Sequence, residues 1–523
     1  MKNKLLLIIL LSFLGFLPAQ DFGDISEEEL KMTSFPDDPD ADAVVLIHKS
    51  EALIDRDFNL VTTVHKRMKI LTEAGKEYAN IKIGFYEKDE ILYLDGASYS
   101  PDGKEYELDS DNIFEEKTGN IKVKTFAIPG VEIGSIIEYE YKSVSKNLES
   151  LDPWYFQGDC YTVLSQYSII IRSGFNYVKT DINCENYDIK VSNEEIPYPG
   201  NSNIKAMRYE WVAKNLPAIR KEPFVDNLED NFAKMYFVLE SYRDPYQYVK
   251  IGKSWDELVK YIYPRIEKFI TDEDGTKELA EELTKDCKDD LEKAKVIYKF
   301  VRDEISNGNY VGYWNEKFLE PEKLLKEKKG GSAEKNILLM NLLERAGLKP
   351  LPVYISTRDN GKIIPNFCDN SQFNRIICFL PINKKAYYLT THEEYLPFGA
   401  MSYNYDVTEG LIMREENSGV FSISTEKVLS RNEIKTEGEI KEDGTVILNS
   451  EISLRGYFAY DERQQIKKGN YKEYIKDEIK NLYEKAEIDT AYYTIEDSVT
   501  STMKVFIKYR LPEYYDLTGE PAF

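Results

Sequence analysis

Three short groups of residues have the types and spacing for chemistry. The first is Gly330-Gly331-Ser332-Ala333-Glu334-Lys335-Asn336, which runs directly into the apolar stretch Ile337-Leu338-Leu339-Met340. A serine at the start of a helix with a lysine three residues on places the two side chains one turn apart, a spacing at which lysine can act as base for a serine nucleophile. The plainer reading of the same residues is Ser332 as helix N-cap and Lys335 on a solvated face. The second group is Asp286-Cys287-Lys288-Asp289, where Cys287 is either a thiol nucleophile or simply a cysteine near a helix start. The third is His392, followed by Glu393 and Glu394, whose charges would raise its pKa. It is either a base within reach of the Ser332 turn or an exposed loop histidine.

The elements that must position these residues begin near residue 250, where the pattern turns helical. Ser254-Trp255-Asp256-Glu257-Leu258 opens a helix with a serine cap and acids in its first turn. Leu291, Ala294, Val296, Ile297, Phe300, Val301 and Ile305 form one apolar helix face. Residues Pro321 to Leu325 lead to the Gly330-Gly331 turn. A helix over Leu338 to Ala346 follows, ended by Gly347. Pro352–Ser356, Asn374–Phe379 and Ala386–Leu389 read as strands. Before residue 245 the pattern is period two, as in Phe58–Val64 and Ile137–Tyr141, with turns at Pro101-Asp102-Gly103 and Pro129-Gly130. That predicts an antiparallel β-sandwich. After residue 430 strands return at Gly438–Ile440, Thr445–Asn449 and Ile452–Gly456, around a Glu442-Asp443-Gly444 turn. A helix from about Tyr460 to Lys485 interrupts them.

The order helix, Gly-x-Ser turn, helix, strands resembles a transglutaminase-like (papain-type) domain over about residues 280 to 415. The series that carries it is Gly330-Gly331-Ser332, then Leu342-Leu343-Glu344-Arg345-Ala346-Gly347-Leu348, then Phe373-Asn374-Arg375 and Tyr388-Leu389-Thr390. The N-terminal part resembles the domain of unknown function that precedes such domains in exported bacterial proteins. Ser98–Gly103, Pro129–Tyr139 and Trp154–Gln157 carry that likeness. In the transglutaminase-like family a cysteine at the helix start attacks a carbonyl, a histidine takes its proton and an aspartate orients the histidine. The resemblance places Ser332, Arg375 and Thr390 at those three positions. Arg375 cannot be a base, because its pKa stays above about 12, and Thr390 brings no negative charge. In a protease, loss of the whole triad leaves about 10³–10⁴ over water, so no catalytic residue is expected here. The same alignment implies a donor-rich site, with Ser332, the helix N–H groups and Arg375 facing a carboxylate or phosphate. Alternatively, Arg375 is ion-paired to Glu334 or Glu393 and the pocket is filled.

Composition bounds the partners. The net charge of −24 over 523 residues argues against nucleic acid or an anionic membrane. Met1-Lys2-Asn3-Lys4, the apolar run Leu5 to Leu17 and Pro18-Ala19 read as a secretory signal peptide cut after Ala19. No later run is long and apolar enough to span a bilayer. The five cysteines (Cys160, Cys184, Cys287, Cys368 and Cys378) are odd in number and widely spaced, allowing one Cys160–Cys184 disulfide. With only His48, His65 and His392, no metal or cofactor site is expected.

The chain is therefore read as a multidomain α+β protein. Residues 1–19 are a signal peptide and 20–248 an N-terminal β-sandwich. Residues 249–415 are a transglutaminase-like α+β domain and 416–523 a C-terminal β-rich domain, cut short at Phe523 relative to similar proteins. The expected function is an exported, periplasmic or secreted, non-catalytic binding or assembly module at the cell envelope, with protein or peptide as ligand. The alternatives are an amidase, peptidase or transglutaminase using Ser332, and carbohydrate binding by the β domains, which hold many of the 39 tyrosines.

Overall fold

The computed structural model describes residues 21–118, 121–243, 247–251, 254–271, 275–308, 319–425, 427–495 and 502–514. The expected signal peptide and the chain end at Phe523 lie outside the described residues. The chain divides into two compact units, Met1–Lys253 and Ser254–Phe523.

In the first unit, alternating apolar residues build an eight-stranded sheet packed by two smaller ones. Its central strands are Ala43–Ile54, Leu60–Ile70 and Tyr161–Arg172. The sandwich expected from the period-two pattern is present. One pair departs from antiparallel order: Ala43–Ile54 runs parallel to Tyr161–Arg172. Trp154, Phe156, Tyr167, Trp211 and Phe237 fill the space against the sheet that holds Lys234–Arg243. Ile81, Ile83 and Phe126 of the three-stranded sheet pack on Met68, Ile70 and Ile137.

A buried charge cluster ties the segment from Asp21 to Leu30 onto this unit. Helix α1 (Glu27–Lys31) opens on a Ser26–Glu29 capping box, so Glu29 is oriented by its own backbone. Its carboxylate reaches Arg67 at 3.1 Å, and Arg67 meets Glu138 at 2.8 and 2.7 Å, all three side chains being fully buried. Glu138 also accepts from the Gly23 N–H at 3.0 Å. Lys69 donates to the Leu30 carbonyl at 2.9 Å, and burial pushes its pKa down to about 8.

In the second unit, helix α6 (Ser332–Arg345) is the pillar. Residues Ser332 through Leu343 are all buried, because α2 (Trp255–Ile270), α3 (Lys277–Thr284), α4 (Asp290–Glu304), α5 (Pro321–Glu327) and a sheet enclose the helix. The helix starts six residues before the predicted Leu338, since the Gly331 N–H is capped by Glu334 at 2.8 Å. Its end is as read: Gly347 has φ +84°, and Leu348 N–H returns to the Leu343 carbonyl at 3.0 Å. The five-stranded antiparallel sheet orders Lys385–Leu389, Arg375–Ile382, Leu351–Ile355, Glu409–Ile412 and Gly419–Ser422.

Asn336 joins helix to sheet. Its amide donates to the Ile376 carbonyl at 2.8 Å and Thr390 Oγ1 at 3.2 Å. Its oxygen accepts from the Thr391 N–H at 2.8 Å and hydroxyl at 3.1 Å.

The C-terminal part is a four-stranded antiparallel sheet in the order Arg431–Ile440, Val446–Arg455, Met503–Leu511, Glu487–Ile495. Thr445–Asn449 and Ile452–Gly456, read as two strands, are one, Val446–Arg455. The single helix expected over Tyr460 to Lys485 is two, α7 (Tyr457–Lys467) and α8 (Tyr471–Leu482), because Gly469 and Asn470 take φ +80° and +56°. The Cys160–Cys184 disulfide is not formed, and all five cysteines are free. Among the described residues no helix is long and apolar enough to cross a membrane.

Arg67→Met leaves Glu29 and Glu138 buried without their cation and is expected to destabilise the first unit by about 3–5 kcal/mol. Urea unfolding within about 1 kcal/mol of wild type would refute that role. Asn336→Leu keeps the volume but strands the Thr391 N–H and Ile376 carbonyl, at about 1–3 kcal/mol each. The same unfolding curve, read on the second unit, measures it.

Candidate functional site

The start of α6 brings most of the singled-out residues into one neighbourhood. Ser332 is its first helical residue, not the N-cap; Gly331 holds that place. The Ser332 side chain is fully buried, and among the described residues its Oγ has no hydrogen-bond partner. The Tyr405 phenol is near enough to Ser332 for its ionisation to be affected. Among the described residues no hydrogen bond joins the two hydroxyls.

Tyr405 also stands against Arg375. Arg375 opens the strand Arg375–Ile382 and donates Nε to the Tyr405 oxygen at 3.0 Å and a terminal nitrogen to the Asn374 carbonyl at 2.7 Å. The expected alternative, an ion pair to Glu334 or Glu393, is not what occupies it. Glu334 instead accepts from the Gly331 and Leu319 N–H groups at 2.8 and 3.0 Å. Glu393 accepts from the Tyr460 hydroxyl of α7 at 3.1 Å. Burial raises the Glu393 pKa, with Arg375 opposing. Thr390 is fully buried and satisfied by Asn336 at 3.2 Å.

Lys335 overturns the expectation of a solvated face. It is fully buried because α6 is enclosed on all sides, and its Nζ donates to Asn307 Oδ1 at 2.8 Å. Burial, helped by Lys467 and Arg302, pushes its pKa down to about 8 against the pull of Glu394 and Asp303. Asn307 in turn donates to the His392 carbonyl at 2.9 Å and to Glu394 at 3.2 Å. His392 is also corrected. Its pKa falls to about 4, because burial and the cations Lys335 and Arg375 outweigh Glu394. Among the described residues its Nδ1 has no hydrogen-bond partner. Cys287 lies between α3 and the Asp289 cap of α4. Among the described residues no hydrogen bond or ion pair joins it to this group.

Helix α7 closes over the same region. Tyr457 donates to the Met401 carbonyl at 2.7 Å, Tyr460 to Glu393, and Lys467 pairs with Glu394. Sequence reasoning missed Asn336, Tyr405, Asn307 and Tyr460. Only Asn336 left a signal: a polar residue in a helix whose neighbours Ala333, Ile337 and Met340 are apolar. Among the described residues no group of three His, Cys, Asp or Glu side chains could hold a metal ion.

A hydroxyl without a base, a guanidinium on a phenol and a lysine held by an amide make a network of donors. None of these contacts draws a proton from Ser332.

Residues 56–220 match the family model of DUF3857, a domain of unknown function with solved structure, and residues 277–374 match that of the transglutaminase-like superfamily. No curated protein matches the chain. A crystal structure from Parabacteroides distasonis ATCC 8503, described as a "putative protease", shares the fold at TM-score 0.51 and 12% identity. The match covers 90% of this chain and 93% of that one. A "putative cysteine protease" from Cytophaga hutchinsonii overlaps 51% of this chain and 84% of its own at 11% identity, with a TM-score of 0.22 that carries no argument. On these two matches, the chain carries a DUF3857 domain over residues 56–220 followed by a core of the transglutaminase-like superfamily over residues 277–374.

Proposed function

We propose that this chain is an exported, non-catalytic transglutaminase-like protein that serves as a binding or assembly module at the cell envelope, with a protein or peptide as ligand. One observation carries the reading. The Ser332 Oγ is fully buried and, among the described residues, has no hydrogen-bonded base. A serine hydroxyl is a weak nucleophile unless a base takes its proton. Each neighbour is committed elsewhere: Lys335 to Asn307, Arg375 to Tyr405. His392, with its pKa near 4, is a poor base at neutral pH. Among the described residues Arg375 makes no salt bridge, which suits it to a peptide's acidic group once Tyr405 moves. The apolar leader over residues 5–17 supports export.

A second reading rests on Lys335. Its pKa near 8 is what an acylating serine–lysine pair would need, and perturbed values collect at functional sites. That reading requires Lys335 Nζ to leave Asn307 and reach Ser332.

A fluorophosphonate probe separates the two. Incubated with the native protein beside a control serine hydrolase, it is expected to leave Ser332 unlabelled by mass spectrometry. An adduct at Ser332 that disappears on unfolding would establish the second reading. His392 sets a pH dependence. Its folded pKa lies below the unfolded value near 6.5, so the unfolded chain takes the proton first. Its contribution is complete above about pH 6.5 and is lost as pH falls toward 4, by at most about 3 kcal/mol. The second unit should lose stability over that window, and His392→Asn should flatten the slope; an unchanged slope would count against a buried neutral imidazole.

A further inference from the structure

Among the described residues the strand Arg431–Ile440 is a free edge of the C-terminal sheet, and all ten of its residues are exposed. It pairs with Val446–Arg455 in unbroken register, from Arg431 opposite Arg455 to Ile440 opposite Val446. Ile434 and Ile440 stand 61% and 63% exposed. An edge strand offers a row of unpaired backbone groups, and proteins normally blunt such edges with charged side chains, bulges, prolines or cover. The opposite edge, Glu487–Ile495, is handled that way: its register shifts between Ile488 and Thr490, and Tyr493 packs edge-on against Tyr471 at 5.1 Å. The strand Arg431–Ile440 has no bulge and no proline.

Its charges instead alternate in sign on one face: Arg431, Glu433, Lys435, Glu437. An antiparallel copy of the same strand, related by a two-fold axis through Ile434, puts Arg431 opposite Glu437 and Glu433 opposite Lys435. Symmetry repeats both pairs, giving four opposite-charge contacts. On the other face Ile434 meets its own copy and Asn432 meets Thr436. Neighbouring registers fail. Centring on Glu433 sets Glu433 against itself and Arg431 against Lys435; centring on Lys435 sets Lys435 against itself and Glu433 against Glu437, with only Arg431 opposite Glu439 in its favour. Opposite-charge pairs directly across an antiparallel ladder are favourable and like charges are not. The existing contacts of these residues, such as Arg431 to Glu433 at 2.5 Å, lie on an exposed surface and hold them weakly. A two-fold axis makes an interface of one patch with itself, and self-complementary charge is the property such a patch needs.

We propose that this edge is a homodimer interface: two copies join antiparallel about Ile434 and merge two four-stranded sheets into one. The occupant is a second copy of this chain, selected by the charge order. The proposal is independent of whatever occurs at Ser332.

Sedimentation velocity of the full chain over a micromolar concentration series tests it. A monomer–dimer equilibrium is expected, weakened by salt. Glu433→Lys alone, which sets two lysines face to face, and Lys435→Glu alone, which sets two glutamates face to face, should each raise the dimer Kd about tenfold or more. The double substitution should restore dimerisation. Both positions of change are exposed, so unfolding curves should match wild type and separate a lost interface from a lost fold. A wild-type chain that stays monomeric to about 100 μM would overturn the proposal, and so would a dimer indifferent to both single substitutions. Monomers that bind an extended peptide along this edge would also overturn it, in favour of a foreign strand.

Discussion

The second unit depends on the side chain of Asn336. One amide on the buried face of α6 donates to the strand Arg375–Ile382 and to Thr390, and accepts from Thr391. Buried amides tolerate no unpaired atoms, so the helix can sit against the sheet in one rotation and one height only. That fixes Ser332 at the helix start and places Arg375 and the Thr390–Glu394 segment around it. Thr390, which the resemblance sets at the position of an orienting aspartate, is part of this structural clamp.

Complete enclosure of α6 then sets the electrostatics. A lysine inside it cannot keep its ordinary pKa, and a histidine among cations in the same wall is driven neutral. The charges are managed by neutral partners: Asn307 for Lys335, Tyr405 for Arg375, Tyr460 for Glu393. Such an arrangement stabilises donors in place. Charge is held differently in the first unit, where Glu29, Arg67 and Glu138 form a fully buried ion cluster. Removing any member there leaves the others uncompensated, so the segment before the first strand is as well anchored as the sheet it covers.

Much of this was legible in the sequence because it is local. The Ser254 capping box, the α6 end at Gly347, the three strands after it and the period-two pattern of the first unit follow from residue types a few positions apart. So does the Gly-Gly-Ser turn, where a Cβ on Gly330 would stand 2.4 Å from the Leu324 side chain. The assignment of Ser332, Arg375 and Thr390 to the family positions was likewise read from their immediate neighbours.

What failed needed distant partners. Glu393 and Glu394 adjoin His392 in the chain, yet Lys335 and Arg375 reach it in space and win, together with burial. Lys335 looked solvated because its neighbours in sequence are polar; the helices around α6 decide otherwise. Tyr405 and Tyr460 carry no motif and matter only because folding sets them beside Arg375 and Glu393. The sequence by itself determined elements, caps and turns, since those follow from backbone sterics and hydrogen bonds within a few residues. Tertiary structure alone decided protonation and pairing, because both depend on which distant charges share a volume from which water has been removed.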